Sequence, residues 1–143
     1  MDWTLELVVV PVSDVDRAKE FYVDKVGFRL DVDTTPAPGM RVVQMSPRGS
    51  GCSITIGTGL GMEMAPGSLQ GLHLVVADIE AARAELVGRG VDVTGPFHFG
   101  AAGQTDGVHP ERADYGTFMS FADPDGNGWL VQEVPARATK ATT

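Results

Sequence analysis

One stretch of this chain is written twice. Residues 12–23, VSDVDRAKEFYV, align with residues 76–87, VADIEAARAELV, at a constant offset of 64, with identities at Val12/Val76, Asp14/Asp78, Ala18/Ala82 and Val23/Val87. Val15/Ile79 and Asp16/Glu80 keep the chemistry without the identity. A repeat of this kind constrains the fold more than any composition, because each copy is one supersecondary unit and the chain must be built from two of them.

Each copy predicts a strand leading into a helix. Leu5 to Val12 is a β-branched apolar run, and Ser13 or Asp14 can cap a helix whose positive end Asp16 favours. Val15, Ala18, Phe21, Tyr22 and Val26 recur at helical spacing, and Gly27 can stop the helix in a left-handed conformation, so helix one runs from Asp14 to Lys25. The second helix is stopped by Gly88 and Gly90.

Three β-like stretches follow each helix. In the first copy they are 28–33, 40–46 and 52–57, separated by the turn chemistry of TTPAPG and SPRGSG; in the second they are 91–94, 116–121 and 129–134, with DPDGNG making the last turn. The expected architecture is α+β with paired βαβββ modules in one domain spanning 1–143. Module one covers 5–57, a glycine-rich linker 58–69, module two 70–134 and a flexible tail 135–143. The linker glycines do not fit a G-x-G-x-x-G phosphate loop, because position 62 is methionine.

Charge and cysteine usage narrow the partners. Nineteen Asp and Glu against eleven Lys and Arg give a formal net charge of -8, which opposes nucleic acid or an anionic membrane and leaves small molecules or proteins. A single cysteine, Cys52, forms no internal disulfide and belongs to no paired Cys-His zinc motif, which fits a reducing cytoplasm. The acidic start, MDWTLEL, lacks the positive charge of a signal peptide, and no apolar run reaches the length of a membrane span.

The segments VSDVDRAKEFYVDKVGF, VADIEAARAELVGRGV and FADPDGNGWLVQEV, in this order and with this pairing, resemble the vicinal oxygen chelate superfamily, also called the glyoxalase, bleomycin resistance and dioxygenase fold. The resemblance implies curled mixed sheets that form a cup, with helices outside, a ligand inside and frequent completion as a homodimer. It leaves function open among metal-dependent isomerases, lyases, epimerases and dioxygenases and metal-free binding proteins. It also implies a ligand for a divalent metal seven residues before each capping aspartate, which here are Leu7 and Gly71, and in the closing strands, where Leu130 and Ser53 stand. Leucine and glycine side chains offer no metal donor, so no metal and no other cofactor is expected.

Strand parity assigns the remaining candidates. Alternate residues share a face, so His73, two after Gly71, and Gln132, two after Leu130, point into the cup with Val9 and Thr55, while Leu72, Leu74 and Val131 face the helices. His73 is the catalytic candidate, since imidazole titrates near neutrality; the same residue can be a polar pocket contact, a metal ligand with His109 or Glu111, or a structural side chain. The segment 97–116 reads as a long loop, either a solvated one or a cover in which Phe97 and Tyr115 touch a ligand and Arg112 meets an anionic group, with His98, His109 and Phe99 beside them. DPDGNG starts like a calcium loop but carries Val134 where the bidentate glutamate is needed, so it reads as a turn. Cys52 has the parity of core packing. The ligand-binding set is therefore Val9, Thr55, His73, Phe97, Arg112, Tyr115, Leu130 and Gln132, around a small, partly apolar organic molecule. The alternative is a metal-dependent lyase, isomerase or dioxygenase of the glyoxalase type.

Overall fold

The computed structural model describes residues 1–140, with side chains through residue 138. Two compact units divide the chain: Met1–Leu69 with Asp123–Asn127, and Gln70–Ala122 with the chain from Gly128 onward.

The first unit runs β1 (Leu7–Val9), α1 (Val15–Glu20), β2 (Arg29–Ala37), β3 (Met40–Ser46) and β4 (Ser53–Thr58), in the sheet order β1-β4-β3-β2. β1 lies parallel to β4 and the remaining pairs are antiparallel. Asp14 caps α1 by accepting from the Arg17 amide at 3.0 Å. The helix widens into a π-helical turn over Phe21–Val26 and ends where expected, at Gly27 with φ 94°. Val15, Ala18, Phe21 and Tyr22 are buried, as are Val43, Met45, Ile54 and Ile56 on one face of the sheet, with α1 packed on β4.

The second unit repeats the plan with β5 (Leu72–Val76), α2 (Ile79–Gly88), β6 (Thr94–Gly100), β7 (Gly103–Asp106), β8 (Thr117–Ala122) and β9 (Gly128–Glu133), in the order β5-β9-β8-β6-β7. β5 is parallel to β9. Asp78 caps α2 through the Ala81 amide at 3.1 Å. Met119, Phe121, Trp129 and Val131 form the buried face against which α2 packs, with Ile79 and Leu86 buried on the helix.

Two expectations are corrected. The strand read at 91–94 begins only at Thr94, because Val91 belongs to the end of α2: its amide donates to Leu86 O at 3.0 Å and its side chain is buried, as in a glycine-terminated helix cap. The long loop read at 97–116 is mostly not loop. β6 and β7 form a hairpin pairing Phe97 with Asp106 and Phe99 with Gln104, which leaves 107–116 as the connection and adds a strand to the βαβββ plan. Of the segment read as a tail, Pro135–Lys140 is 3-10 helical, and 141–143 lie outside the described residues.

The DPDGN turn joins β8 to β9 yet clusters with the first unit. Asp123 Oδ1 accepts from the amides of Asp125 and Asn127, and its Oδ2 accepts from the Tyr22 hydroxyl at 2.7 Å. Asn127 Nδ2 donates to Pro11 O, its Oδ1 accepts from the Leu69 amide, and Asp125 takes the Ser13 hydroxyl. The oxygens that a calcium loop would turn on a cation are committed to the turn and its neighbours.

Candidate functional site

Each sheet has one helix-covered and one helix-free face, and register decides which residues share each. In the second unit His73 pairs with Leu130, which pairs with Ser120; one row further, Val75, Gln132, Phe118 and Phe97 lie side by side across β5, β9, β8 and β6. His73, Leu130, Gln132 and Phe97 therefore stand on one helix-free face, opposite the face that holds Leu72, Leu74, Trp129 and Val131. His73 is exposed and Gln132 half-buried.

Three aromatic rings dominate this face. Phe97 stacks on Phe118 with centroids 5.6 Å apart and planes 14° apart, while Phe99 meets Phe118 at 5.5 Å and Phe97 at 6.0 Å, edge to face. Phe99 is 59% exposed, so the cluster presents apolar surface to solvent instead of filling a core. Phe118 is absent from the residues read as ligand-binding. Its signal lies in the alternation of TFMSFA, where buried Thr117, Met119 and Phe121 leave Phe118 and Ser120 for the other face.

Tyr115 borders this face. Its carbonyl accepts from Gln132 Nε2 at 3.4 Å, its hydroxyl from Arg137 at 3.3 Å, and its backbone holds φ 60°, a left-handed value costly for a residue with a Cβ. Arg112 is not with them. Its Nε donates to Glu133 Oε1 at 2.7 Å, its Nη2 to Glu133 Oε2 and its Nη1 to Glu80 at 2.9 Å. Glu133 is fully buried on the helix-covered side and also accepts from the Ile79 amide at the start of α2. The Arg112 guanidinium holds the Glu133 carboxyl below the usual carboxylate range, and the carboxylate in turn raises the guanidinium above its own. An arginine so committed is a clamp between the 107–116 connection, β9 and α2, instead of the anion receptor that its loop position suggests.

The remaining histidines also face away from His73. His98 is buried with Nδ1 on Gly107 O at 2.8 Å, its ring lies 5.9 Å from that of His109, and the His109 amide donates to Thr117 on the helix-covered side. His109 Nδ1 accepts from the Glu111 amide, which assigns the proton of a neutral ring to Nε2. Among the described residues no group of three His, Cys, Asp or Glu side chains is placed to hold a metal ion.

The first unit carries Val9 and Thr55 as cross-strand neighbours on its helix-free face, continued by Gln44 and Val32. A second row there runs through Leu7, Ser53 and Ser46, where the Ser46 hydroxyl bonds Ser53 at 2.6 Å and Asp31. The Ser46 hydroxyl, and after it Arg29, keep the Asp31 carboxyl below its ordinary range. Register corrects one equivalence: Val9 pairs with Thr55 as His73 pairs with Leu130, so the counterpart of Leu130 is Thr55 and not Ser53. Leu7, Gly71, Thr55 and Leu130 are then the four positions at which the resemblance requires metal donors, and only a neutral hydroxyl is among them. These residues do not fit a divalent cation.

The family model of the glyoxalase/bleomycin resistance protein/dioxygenase superfamily matches residues 4–131. The chain belongs to this superfamily. Among solved structures, TnmS3, an antibiotic binding protein from Streptomyces sp. CB03234, is 36% identical with a TM-score of 0.73, covering 92% of this chain and 96% of that one. A superfamily protein from Sphaerobacter thermophilus is 30% identical with a TM-score of 0.73, covering 93% and 98% of the two chains. YetH of Bacillus subtilis is 29% identical over 130 residues, 88% of this chain and 94% of its own. The α+β class with two mixed sheets is the superfamily's own, and no helix among the described residues is long and apolar enough to cross a membrane.

Proposed function

We propose that this protein is a binder that sequesters a small, partly apolar organic molecule carrying a planar aromatic system, without a metal ion. The observation that carries the reading is the exposed Phe97, Phe99 and Phe118 cluster, with Leu130, Gln132 and His73 on the same face. An aromatic ligand laid on these rings removes apolar surface from water and gains ring-ring contact, while Gln132 and His73 offer hydrogen bonds at its border. The likeness to an antibiotic binding protein supports a ligand of antibiotic type.

The metal-dependent lyase or dioxygenase reading would join His73 to His109 or Glu111. His109 sits with His98 and Thr117 on the other side of the sheet, which supports the metal-free binder instead. His73 is accordingly read as a polar contact and not as a catalyst. The reading includes a homodimer, supported by Trp3 and Leu5, which are 87% and 71% exposed ahead of β1, and a cytoplasmic setting in which Cys52 stays a free thiol.

The test is calorimetric titration of the chelator-treated protein with a panel of planar polycyclic aromatic antibiotics, in parallel with Phe99→Ala. Micromolar or tighter binding to wild type, weakened about tenfold or more by the substitution, is the expected result. Equal affinity in both proteins, or binding that returns only when a divalent metal is added back, would sink the reading.

A further inference from the structure

The aromatic row of the second unit continues onto β7, the strand that the βαβββ plan does not contain. Val75, Gln132, Phe118 and Phe97 are followed across the ladder by Asp106, and Phe99 faces Gln104 in the next row of the same face. Directly opposed residues hold their Cβ atoms about 5 Å apart, so the Asp106 carboxylate stands beside the Phe97 ring on the helix-free face. Neither Asp106 nor Gln104 is in the ligand-binding set read from the sequence.

Asp106 differs from the other strand-borne carboxylates. Asp31 is paired with Arg29, Asp33 with Lys19 and Arg41, and Glu133 with Arg112. The Asp106 side chain is exposed and holds no hydrogen bond or ion pair among the described residues. Cations of the same unit are engaged elsewhere: Arg83 donates to Gly95 O, Arg112 is bound to Glu133, and Arg137 donates to the Tyr115 hydroxyl. Tyr115 meets Gln132, three strand spacings from Asp106 along the row, about 14 Å. The face is therefore acidic at its β7 border and aromatic in its middle.

An unpaired carboxylate at the rim of three phenyl rings attracts a cation in two ways, through its own charge and through the negative faces of the rings. An anion meets the opposite of both. The geometry points to a specificity for a planar aromatic ligand that carries a protonated amine, its ring system on Phe97, Phe99 and Phe118 and its ammonium group on Asp106, with the Gln104 amide oxygen as a second acceptor. This rests on the aromatic-face reading of the second unit and adds the charge of the ligand to it. A charge on an edge strand has another common use, to keep sheets from pairing edge to edge, and β7 is an edge strand. The two roles predict different behaviour once the charge is removed.

The experiment titrates the full chain, by anthracene fluorescence, with three compounds built on one ring system: anthracenemethylamine, anthracenemethanol and anthracenecarboxylate. Wild type is expected to bind the amine about three- to tenfold more tightly than the alcohol, the size of an exposed ion pair joined to a cation–π contact, and the carboxylate most weakly. Raising the salt from about 20 mM to about 0.5 M should shrink the preference. Asp106→Asn should bring amine and alcohol to equal affinity while leaving the affinity for the alcohol and the melting temperature unchanged, and Asp106→Lys should place the carboxylate ahead of the amine. Glu85→Gln, the same change of net charge at an exposed position of α2, should keep the preference. The inference is overturned if wild type binds none of the three or binds amine and alcohol alike, if the preference survives in Asp106→Asn, or if Glu85→Gln abolishes it equally. Self-association of Asp106→Asn with the preference intact would overturn it too, and make the carboxylate a guard of the sheet edge. Absence of a preference in wild type, with the alcohol still bound and weakened by Phe99→Ala, would leave the aromatic face standing; an alcohol bound equally by Phe99→Ala and wild type would remove both.

Discussion

Replacing Arg112 by leucine isolates the most heavily committed charge in the second unit. Glu133 is fully buried, and two of its three hydrogen bonds come from the guanidinium; the third comes from the Ile79 amide. Removing one partner of a buried pair costs about 3–5 kcal/mol because the survivor stays desolvated. Arg112 is itself 38% exposed, so water can reach the vacated position and the lower end applies, about 3 kcal/mol. For a chain of 143 residues that corresponds to a melting temperature lower by roughly 10 °C. The sign with pH follows from the carboxyl: Glu133 is held below its unfolded value, so its stabilisation is present above about pH 4 and fades as pH falls through the folded value. Arg112→Leu should therefore differ most from wild type near pH 7 and converge with it in acid. Paired replacement, Arg112→Leu with Glu133→Leu, should recover at least half of the loss. Thermal melts by circular dichroism at steps from pH 7.5 down to about pH 2.5, below the unfolded carboxyl value, measure all of this. A single variant within 2 °C of wild type at pH 7.5, or a double variant no better than the single, would refute the view of this pair as a clamp.

His73→Ala, on the helix-free face of the second unit, should leave the melting temperature within about 1 °C, because the side chain is exposed, while Leu74→Ala, half-buried on the opposite face of β5, should lower stability by about 1–2 kcal/mol in urea denaturation. Equal losses would give His73 a structural role. Elemental analysis of protein purified without chelator should find less than about 0.1 equivalent of zinc, nickel, iron or manganese, because Leu7, Gly71 and Leu130 provide no donors; an equimolar metal lost with His73→Ala would restore the enzyme reading. Light scattering at micromolar concentration should report a dimer, and Trp3→Ser with Leu5→Ser should shift it toward monomer; a monomeric wild type would remove the role given to these side chains.

How far the chain could be read in advance depended on the range of the chemistry involved. Capping by Asp14 and Asp78 and the stop at Gly27 are settled within four or five residues, and the structure has all three. The two faces of β5 and β9 follow from a period of two, which needs only the correct strand, so His73, Leu130 and Gln132 were legible as a set. Partners distant in sequence were not. Arg112 reads as a free cation until Glu133 is brought beneath it from 21 positions away, and the pairing of Thr55 with Leu130 as equivalents depends on the register of the parallel pairs, which loop glycines obscure. The β6-β7 hairpin escapes a sequence reading for another reason: GQTD has a single β-branched residue, Thr105, and no apolar one, although Phe97 and Phe99 alternate around His98 as strand residues do.

The DPDGN turn has a consequence for how such a chain can be made. Three residues from the second half of the sequence, Asp123, Asp125 and Asn127, bond to Pro11, Ser13, Tyr22 and Leu69 of the first. A polypeptide emerging from the ribosome has therefore completed β1 to β4 long before Asp123–Asn127 arrives to occupy the Tyr22 hydroxyl and the Pro11 carbonyl. The bond from the Tyr22 hydroxyl to Asp123 must wait for translation to reach that turn. A gene cut after Leu69 would yield a fragment lacking that insert, and the ancestral duplication visible in the sequence is no longer divisible at its own seam.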